Sequence, residues 1–455
     1  MPIERQEQLA AYSFSDYSGG MNTAMPPELI AENEAVLIRN YEYDYNRLRT
    51  RGGTSAPLVS VDEDIRNFYY DAATEAYLLF GYGSNPNVYL AYIGKPAELV
   101  GQLTGDERPV CCKFDACIYI ASGNKLQYFD YEQLYTVESS KLCDNVFERF
   151  GRLVTTHRGD DNLYYSATGD AKSESAWTDD SNVDSSSKWL EVGYKDDGDI
   201  ITCKPMANDL LVFKTNGRIY SVSGEYPAWN VSQVGEKSHA EDIQKSIEIV
   251  GDSVAFITAN GIRSVDTVQT YGNFTMNEVG YKFNNTLAKK IFGPMCWNIV
   301  SKRQFIIMPN SLADNRKTLF VYQYNMQAGY EVEFPFDIDD MAETSNGVIL
   351  LSGNSLYRWS FEYDTDNGQP IKTELVTRRL TTAVAFYTRK YDVQIDDGNI
   401  DGVVDFTAGK QTWKHMLKKP RKIKYLYDTL NSLQLTLSSE SRHTITTIVL
   451  YAVVK

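Results

Sequence analysis

The stretch Leu210-Leu211-Val212-Phe213-Lys214-Thr215-Asn216-Gly217-Arg218-Ile219-Tyr220-Ser221-Val222 sets the reading of the whole chain. Two apolar runs flank an Asn-Gly dipeptide, and both of those residues tolerate the positive φ that a tight hairpin turn demands. The same unit, an apolar strand, a turn and a second strand carrying Tyr or Phe, recurs along the chain. It is found at 76–82 with 88–92, at 117–121 with 125–129, and at 152–156 with 162–166. It returns at 254–257 with 262–265 across a second Asn-Gly turn, at 304–308 with 319–324, and at 348–351 with 356–359. Counted with 210–222, the seven hairpins begin roughly 35 to 60 residues apart, close to the spacing of four-stranded propeller blades. A lone hairpin cannot cover both of its faces, whereas blades packed around an axis bury them and protect the strand edges. The expected fold is therefore all-β, a β-propeller of about seven blades, with six to eight allowed because the outer strands are weakly marked.

Outward from the hairpins, two segments break the period. The stretch 166–199 is acidic and rich in Ser and Asp, and reads as an exposed insertion between blades. From about residue 370 the spacing changes, and 381–396, 402–407, 423–427, 432–438 and 444–454 read as strands of a C-terminal β-sandwich. The expected domains are thus an N-terminal arm and first strand over 1–53, a propeller over 54–368 and a sandwich over 369–455. Short helical turns are expected only within 29–39, after Pro26-Pro27-Glu28, and at 240–245.

Composition agrees with a large folded β protein. The 455 residues are 43% hydrophobic and include 32 Tyr and 19 Phe, enough apolar surface for a core and a bias toward strands. The net charge is −15, which argues against wrapping nucleic acid by neutralising phosphates. That charge is uneven: residues 378–455 hold thirteen Lys or Arg against seven Asp or Glu, a surplus of +6 that leaves −21 for the rest. Six cysteines without a CxxC pair read as reduced, mostly buried thiols. The N-terminal residues lack the apolar run of a signal peptide, and no apolar run is long enough to span a membrane. A soluble protein made in a cytoplasm is expected.

Catalytic signatures are missing from the sequence. There is no GxSxG, HExxH, GxxxxGK[ST] or GxGxxG, and His157, His239, His415 and His443 stand singly. No enzyme activity, cofactor or metal is expected. Asp180, Asn182, Asp184 and Glu191 have the spacing of a calcium loop, but Ser185 replaces the turn glycine and the loop is acidic enough for a chance match. Two groups read as architectural or interaction residues. Gly19, Gly20 and Asn22 suit a tight turn, and Arg47, Arg49 and Arg51 alternate along an extended segment, where they would pair with carboxylates of a blade or a neighbouring subunit. The basic residues Lys414, Lys418, Lys419, Arg421, Lys422 and Lys424 form either a solvated hairpin turn or a docking face for an acidic partner surface.

The N-terminal residues Phe14-Ser15-Asp16-Tyr17-Ser18-Gly19-Gly20-Met21-Asn22, then Glu34-Ala35, Asn40 and Arg47-Leu48-Arg49-Thr50-Arg51-Gly52-Gly53, resemble the opening of tailed-bacteriophage structural proteins. Asn46 stands where that group often has Gly. Tyr164-Tyr165-Ser166-Ala167-Thr168-Gly169-Asp170 with Trp177 is similar to a blade motif of the group, and Phe386-Tyr387-Thr388-Arg389-Lys390-Tyr391 to the start of its terminal sandwich. The group comprises packaged-DNA stabilisation, tail hub and nozzle proteins. The resemblance implies a non-enzymatic virion component, assembled in the host cytoplasm into a homo-oligomeric, six-fold ring in the head-to-tail connection or tail. Its implied partners are the portal adaptor, other tail proteins and duplex DNA passing through the channel without specific binding. A tail-tip propeller that binds or cleaves host surface carbohydrate is the alternative, with exposed aromatics and carboxylates on one rim as its signature.

Overall fold

The computed structural model describes residues 9–45, 47–177, 188–206, 208–224, 228–236, 244–268, 273–396, 402–408, 411–417, 421–425 and 429–454. Each hairpin read from the sequence forms the second and third strands of a four-stranded antiparallel blade. Blade 1 is Ile65–Asp71, Ala76–Gly81, Asn87–Ala91 and Glu98–Gln102. Blade 2 is Val110–Phe114, Cys117–Ala121, Gln127–Phe129 and Leu134–Thr136, and blade 3 is Asn145–Arg149, Arg152–Thr156, Asn162–Tyr165 and Lys188–Glu191. Blade 4 is Ile200–Met206, Asp209–Lys214, Arg218–Ser223 and Asn230–Glu236, and blade 5 is Ile247–Val250, Ser253–Thr258, Gly261–Val268 and Asn273–Val279. Met295–Ile299, Gln304–Met308, Thr318–Gln323 and Ala328–Glu333 make blade 6.

Blade 7 closes the ring by combining distant parts of the chain. Asp340–Thr344, Gly347–Ser352 and Ser355–Ser360 are three consecutive strands, and the fourth position is filled by Gly53–Thr54 and Val59–Ser60 from the N-terminal region. The first strand of blade 7 packs on that of blade 1. The second strands are the most deeply buried: Ala76–Gly81, Cys117–Ala121, Arg152–Thr156 and Gln304–Met308 are buried at every position. Such strands are covered on both faces by neighbouring blades, so they read as continuous apolar runs without alternation.

The sandwich draws on both ends of the chain. One sheet pairs Glu34–Arg39 with Thr373–Thr377, then Thr429–Ser439, Gly402–Ala408 and Gln411–Leu417. The other pairs Leu9–Phe14 and Arg47–Thr50 with Thr444–Val454, which pairs in turn with Leu380–Asp396 and, through it, Arg421–Tyr425. Leu433, Leu435 and Leu437 are buried while Ser432, Gln434 and Thr436 are only partly so, the period-two pattern of a strand with one face on a core. That core also holds Phe14, Ile38, Tyr41 and Leu48, and it runs on into Met295, Trp297 and Trp359 of blades 6 and 7.

Three local expectations differ from the structure. Residues 34–39, expected within a helical turn, form a strand because Ala35 and Ile38 fill the core and the backbone pairs with 373–377. The one α-helix among the described residues, Tyr281–Ala288, was not foreseen; it follows Gly280, whose φ is 67°, and buries Phe283, Asn284 and Leu287. The acidic stretch 166–199 is not wholly an insertion, since Lys188–Glu191 supplies the fourth strand of blade 3 and Trp177 is buried.

Candidate functional site

The N-terminal segment that carries the family resemblance lies at the joint between propeller and sandwich. Gly20 has φ 76°, and a Cβ there would stand 2.7 Å from the Gly329 nitrogen, so the turn accepts only glycine beside blade 6. Asn22 Nδ2 donates to Glu34 Oε2 at 2.6 Å, and Asn22 Oδ1 accepts from the Ala24 amide at 3.1 Å. Lys282 of the helix donates to the Gly19 carbonyl at 2.8 Å and pairs with Glu34 at 2.9 Å. Burial acts to raise the Glu34 carboxyl, but Lys282, Asn22 and the Ala31 amide outweigh it and hold the group below its usual range.

Arg51 is the centre of the joint. Its side chain is fully buried and grips Asp366 with two hydrogen bonds, at 2.9 and 2.5 Å. It also donates to the Gly52 carbonyl at 2.8 Å, the Glu333 carbonyl at 2.7 Å and Asn40 Oδ1 at 2.9 Å. All five guanidinium N–H groups are thereby used, and the plane lies 4.3 Å from the Phe334 ring centroid. Asn40, at φ 60°, donates from Nδ2 to the Lys372 carbonyl at 2.6 Å while its Oδ1 also accepts from the Glu333 amide at 2.7 Å. A Cβ on Gly53 would stand 2.1 Å from the Thr365 carbonyl oxygen, so the chain passes between blade 7 and the 365–366 strand only without a side chain.

The other expected arginines occupy different surroundings. Arg49 is partly buried, with its guanidinium 4.5 Å from the Phe361 centroid, and Arg47 is exposed beside Asp44 and Thr446 in a shallow surface hollow. The three do not share one face: the strand ends at Thr50, and Arg51 turns into the joint. Arg39, which the sequence reading passed over, binds Glu331 at 2.8 Å and Glu374 at 3.2 Å and so ties blade 6 to the sandwich. Its sequence signal was its place directly before Asn40, a residue of the resemblance.

The basic stretch is not a hairpin. Lys414 lies on Gln411–Leu417, which pairs with Gly402–Ala408, while Arg421, Lys422 and Lys424 lie on Arg421–Tyr425, which pairs with Leu380–Asp396. Lys418 and Lys419 fall outside the described residues, as do Asp180, Asn182 and Asp184 of the calcium-like spacing and His239. The six cysteines carry no disulfide, and four of them are buried. His443 is buried: its Nδ1–H donates to the Ser441 carbonyl at 2.6 Å and its Nε2 accepts from the Tyr41 hydroxyl at 2.9 Å. Burial pulls its imidazole down to about 4 against the Ser441 hydrogen bond.

At the propeller axis the first strands surround a cavity of about 180 Å³. Arg108, Lys204 and Lys245 line it together with Asp340, Asn67 and Asn145. This axis is therefore cation-rich, although the chain before residue 378 carries −21.

No family model matches the sequence, and no curated protein does. Among solved structures the chain is similar to the N-terminal domain of Nup159, at 9% identity over 78% of this chain and 97% of that one, with a TM-score of 0.39. It is also similar to the β-propeller domain of Swd1 from Myceliophteria thermophila, at 8% identity over 68% and 100%, TM-score 0.45. A structure of YCF48 bound to D1 peptide matches at 10% identity over 70% and 96%, TM-score 0.45. The protein is a β-propeller with an appended β-sandwich, an assignment that rests on the strand pairing within the chain.

Proposed function

We propose that the protein is a structural component of a tailed-phage virion. Copies of it form a ring in the head-to-tail connection or tail nozzle, around a channel through which DNA passes and in which the packaged genome is retained. One observation carries this reading: the residues of the phage-like opening, Gly20, Asn22, Asn40, Arg51 and Gly53, are the ones that lock the sandwich to blades 6 and 7. A joint tied by this many buried polar contacts suits a protein whose task is to hold a rigid shape under load.

The channel in this reading lies between copies. The axial cavity of a single propeller, at about 180 Å³, is far too small for a duplex. A surface carrying −21 turned to the channel would repel phosphates and let DNA slide, while the +6 segment would meet portal-adaptor or tail proteins. Electron microscopy and light scattering of the purified chain test this. Closed rings of about six copies are the expected outcome. A monomer that binds cell-wall glycans and releases reducing sugar would overturn it in favour of a carbohydrate-directed tail-tip protein.

A further inference from the structure

The axial cavity has a use that its position in the ring does not require. Arg108 comes from the entry to blade 2, Lys204 from blade 4 and Lys245 from the turn before blade 5, so three cationic groups from separate blades converge on one space of about 180 Å³. Arg108 is paired with Asp340 at 3.1 Å. Lys204 and Lys245 share one carboxylate, Glu248, at 3.6 and 4.0 Å, longer than a good ionic hydrogen bond. The lining itself thus carries three cations and one carboxylate; Glu248 lies behind the two lysines, Asp339 near Arg108 is itself paired with Arg316 at 2.7 Å, and the surplus positive charge that remains is stabilised by an anion.

The wall also offers acceptors. Asn67 is 5% exposed, and while its Nδ2 donates to the Pro109 carbonyl at 2.9 Å, its Oδ1 accepts no hydrogen bond. Asn145 donates to Thr202 Oγ1 at 2.9 Å, which leaves the Thr202 hydroxyl hydrogen free to reach a ligand oxygen. A ligand that both accepts from lysines and donates an O–H matches this mixture. Chloride and sulfate carry no proton to give, whereas phosphate near neutral pH does.

We propose that the axial cavity is a binding site for a small protonated oxyanion of phosphate size. Lys204 and Lys245 hold its charge, Thr202 donates to it, and Asn67 Oδ1 accepts its proton. The ligand locks blades 1, 4 and 5 together at the axis.

Calorimetry on the full chain at pH 7 and fixed ionic strength tests this, with inorganic phosphate, sulfate and chloride as titrants. One saturable phosphate site per chain is expected, at least about tenfold tighter than sulfate because only phosphate satisfies the acceptor. Lys245→Met should weaken phosphate binding about tenfold or more, and Lys245→Arg should stay within about threefold of the wild type. The proposal is overturned by an absence of saturable phosphate binding, by equal binding of phosphate and sulfate, or by a folded Lys245→Met chain that binds as the wild type does. Should Lys245→Met fail to fold, the anion series on the wild type decides.

Discussion

Blades 1 to 5 and blades 6 to 7 are built from the same hairpin and end differently. In blades 1 and 4 the outer strands, Glu98–Gln102 and Asn230–Glu236, contain no buried residue. In blade 6 the outer strand Ala328–Glu333 is buried at five of six positions, because Glu34–Arg39 lies alongside it, and the outer place of blade 7 is taken by N-terminal strands. A polar edge facing water resists further pairing, whereas a covered edge must satisfy every buried group from within the protein. The lesson is one of cost. Polar contacts at the open rim are replaceable by water, and those at the joint are not.

The largest test of this contrast is Arg51→Ala. It strands the Asp366 carboxylate in a dry site and removes a donor from the Gly52 and Glu333 carbonyls, and should cost about 3–5 kcal/mol in urea unfolding followed by tryptophan fluorescence. A loss under about 1 kcal/mol would show the joint to be no more demanding than the rim.

His443 comes next, on the sandwich side of the same joint. Its folded pKa of about 4 lies below the unfolded value near 6.5, so the unfolded chain binds the extra proton first. Its contribution is intact above about pH 6.5 and is lost as pH falls toward 4, by up to about 3 kcal/mol. His443→Gln should flatten the stability profile across that window, and a profile that keeps its slope would assign the effect to other groups.

Asp71 represents the open blades. Burial acts to raise its carboxyl, but Lys113, Thr74 and Tyr131 draw it down to about 2. Lys113 is 2.8 Å away and one-third exposed, so the pair is partly screened. Asp71→Asn should cost about 1–2 kcal/mol near neutral pH. The sign is opposite to that of His443: the Asp71 contribution is present above about pH 3.8 and is lost as pH falls through about 2. Equal stability of the variant and the wild type at pH 7 would remove the pair from the account. Smallest of all is Asp364→Asn, which breaks an ion pair with Arg442 where Asp364 is 68% exposed. The change should stay within about 0.5 kcal/mol by the same denaturation measurement.

Much of the fold was legible for local reasons. A hairpin is specified by residues a few positions apart, which is why 210–222 and its six counterparts appear as blade strands with limits off by three residues at most. The C-terminal strand 444–454 was read to the residue for the same reason. Gln411–Leu417 was missed because its alternation is interrupted by charge, and Glu34–Arg39 because Glu, Ala, Leu and Arg favour helix until a partner strand is present. At the site, the sequence singled out Gly20, Asn22 and Arg51, since a glycine pair and a set of alternating arginines are visible without a structure. The axial cavity was not legible: its residues come from six blades, and each is an ordinary residue in its own neighbourhood.

By itself, the sequence determined the repeating hairpins and the change of pattern near residue 370, because turn chemistry and apolar runs act over short distances. Only the tertiary structure decided that the N-terminal segment closes blade 7, that both termini share the sandwich, and that Arg51 meets Asp366 315 positions away. Strand pairing across the chain follows from which edges remain unsatisfied once all the blades have formed, and no local stretch contains that information.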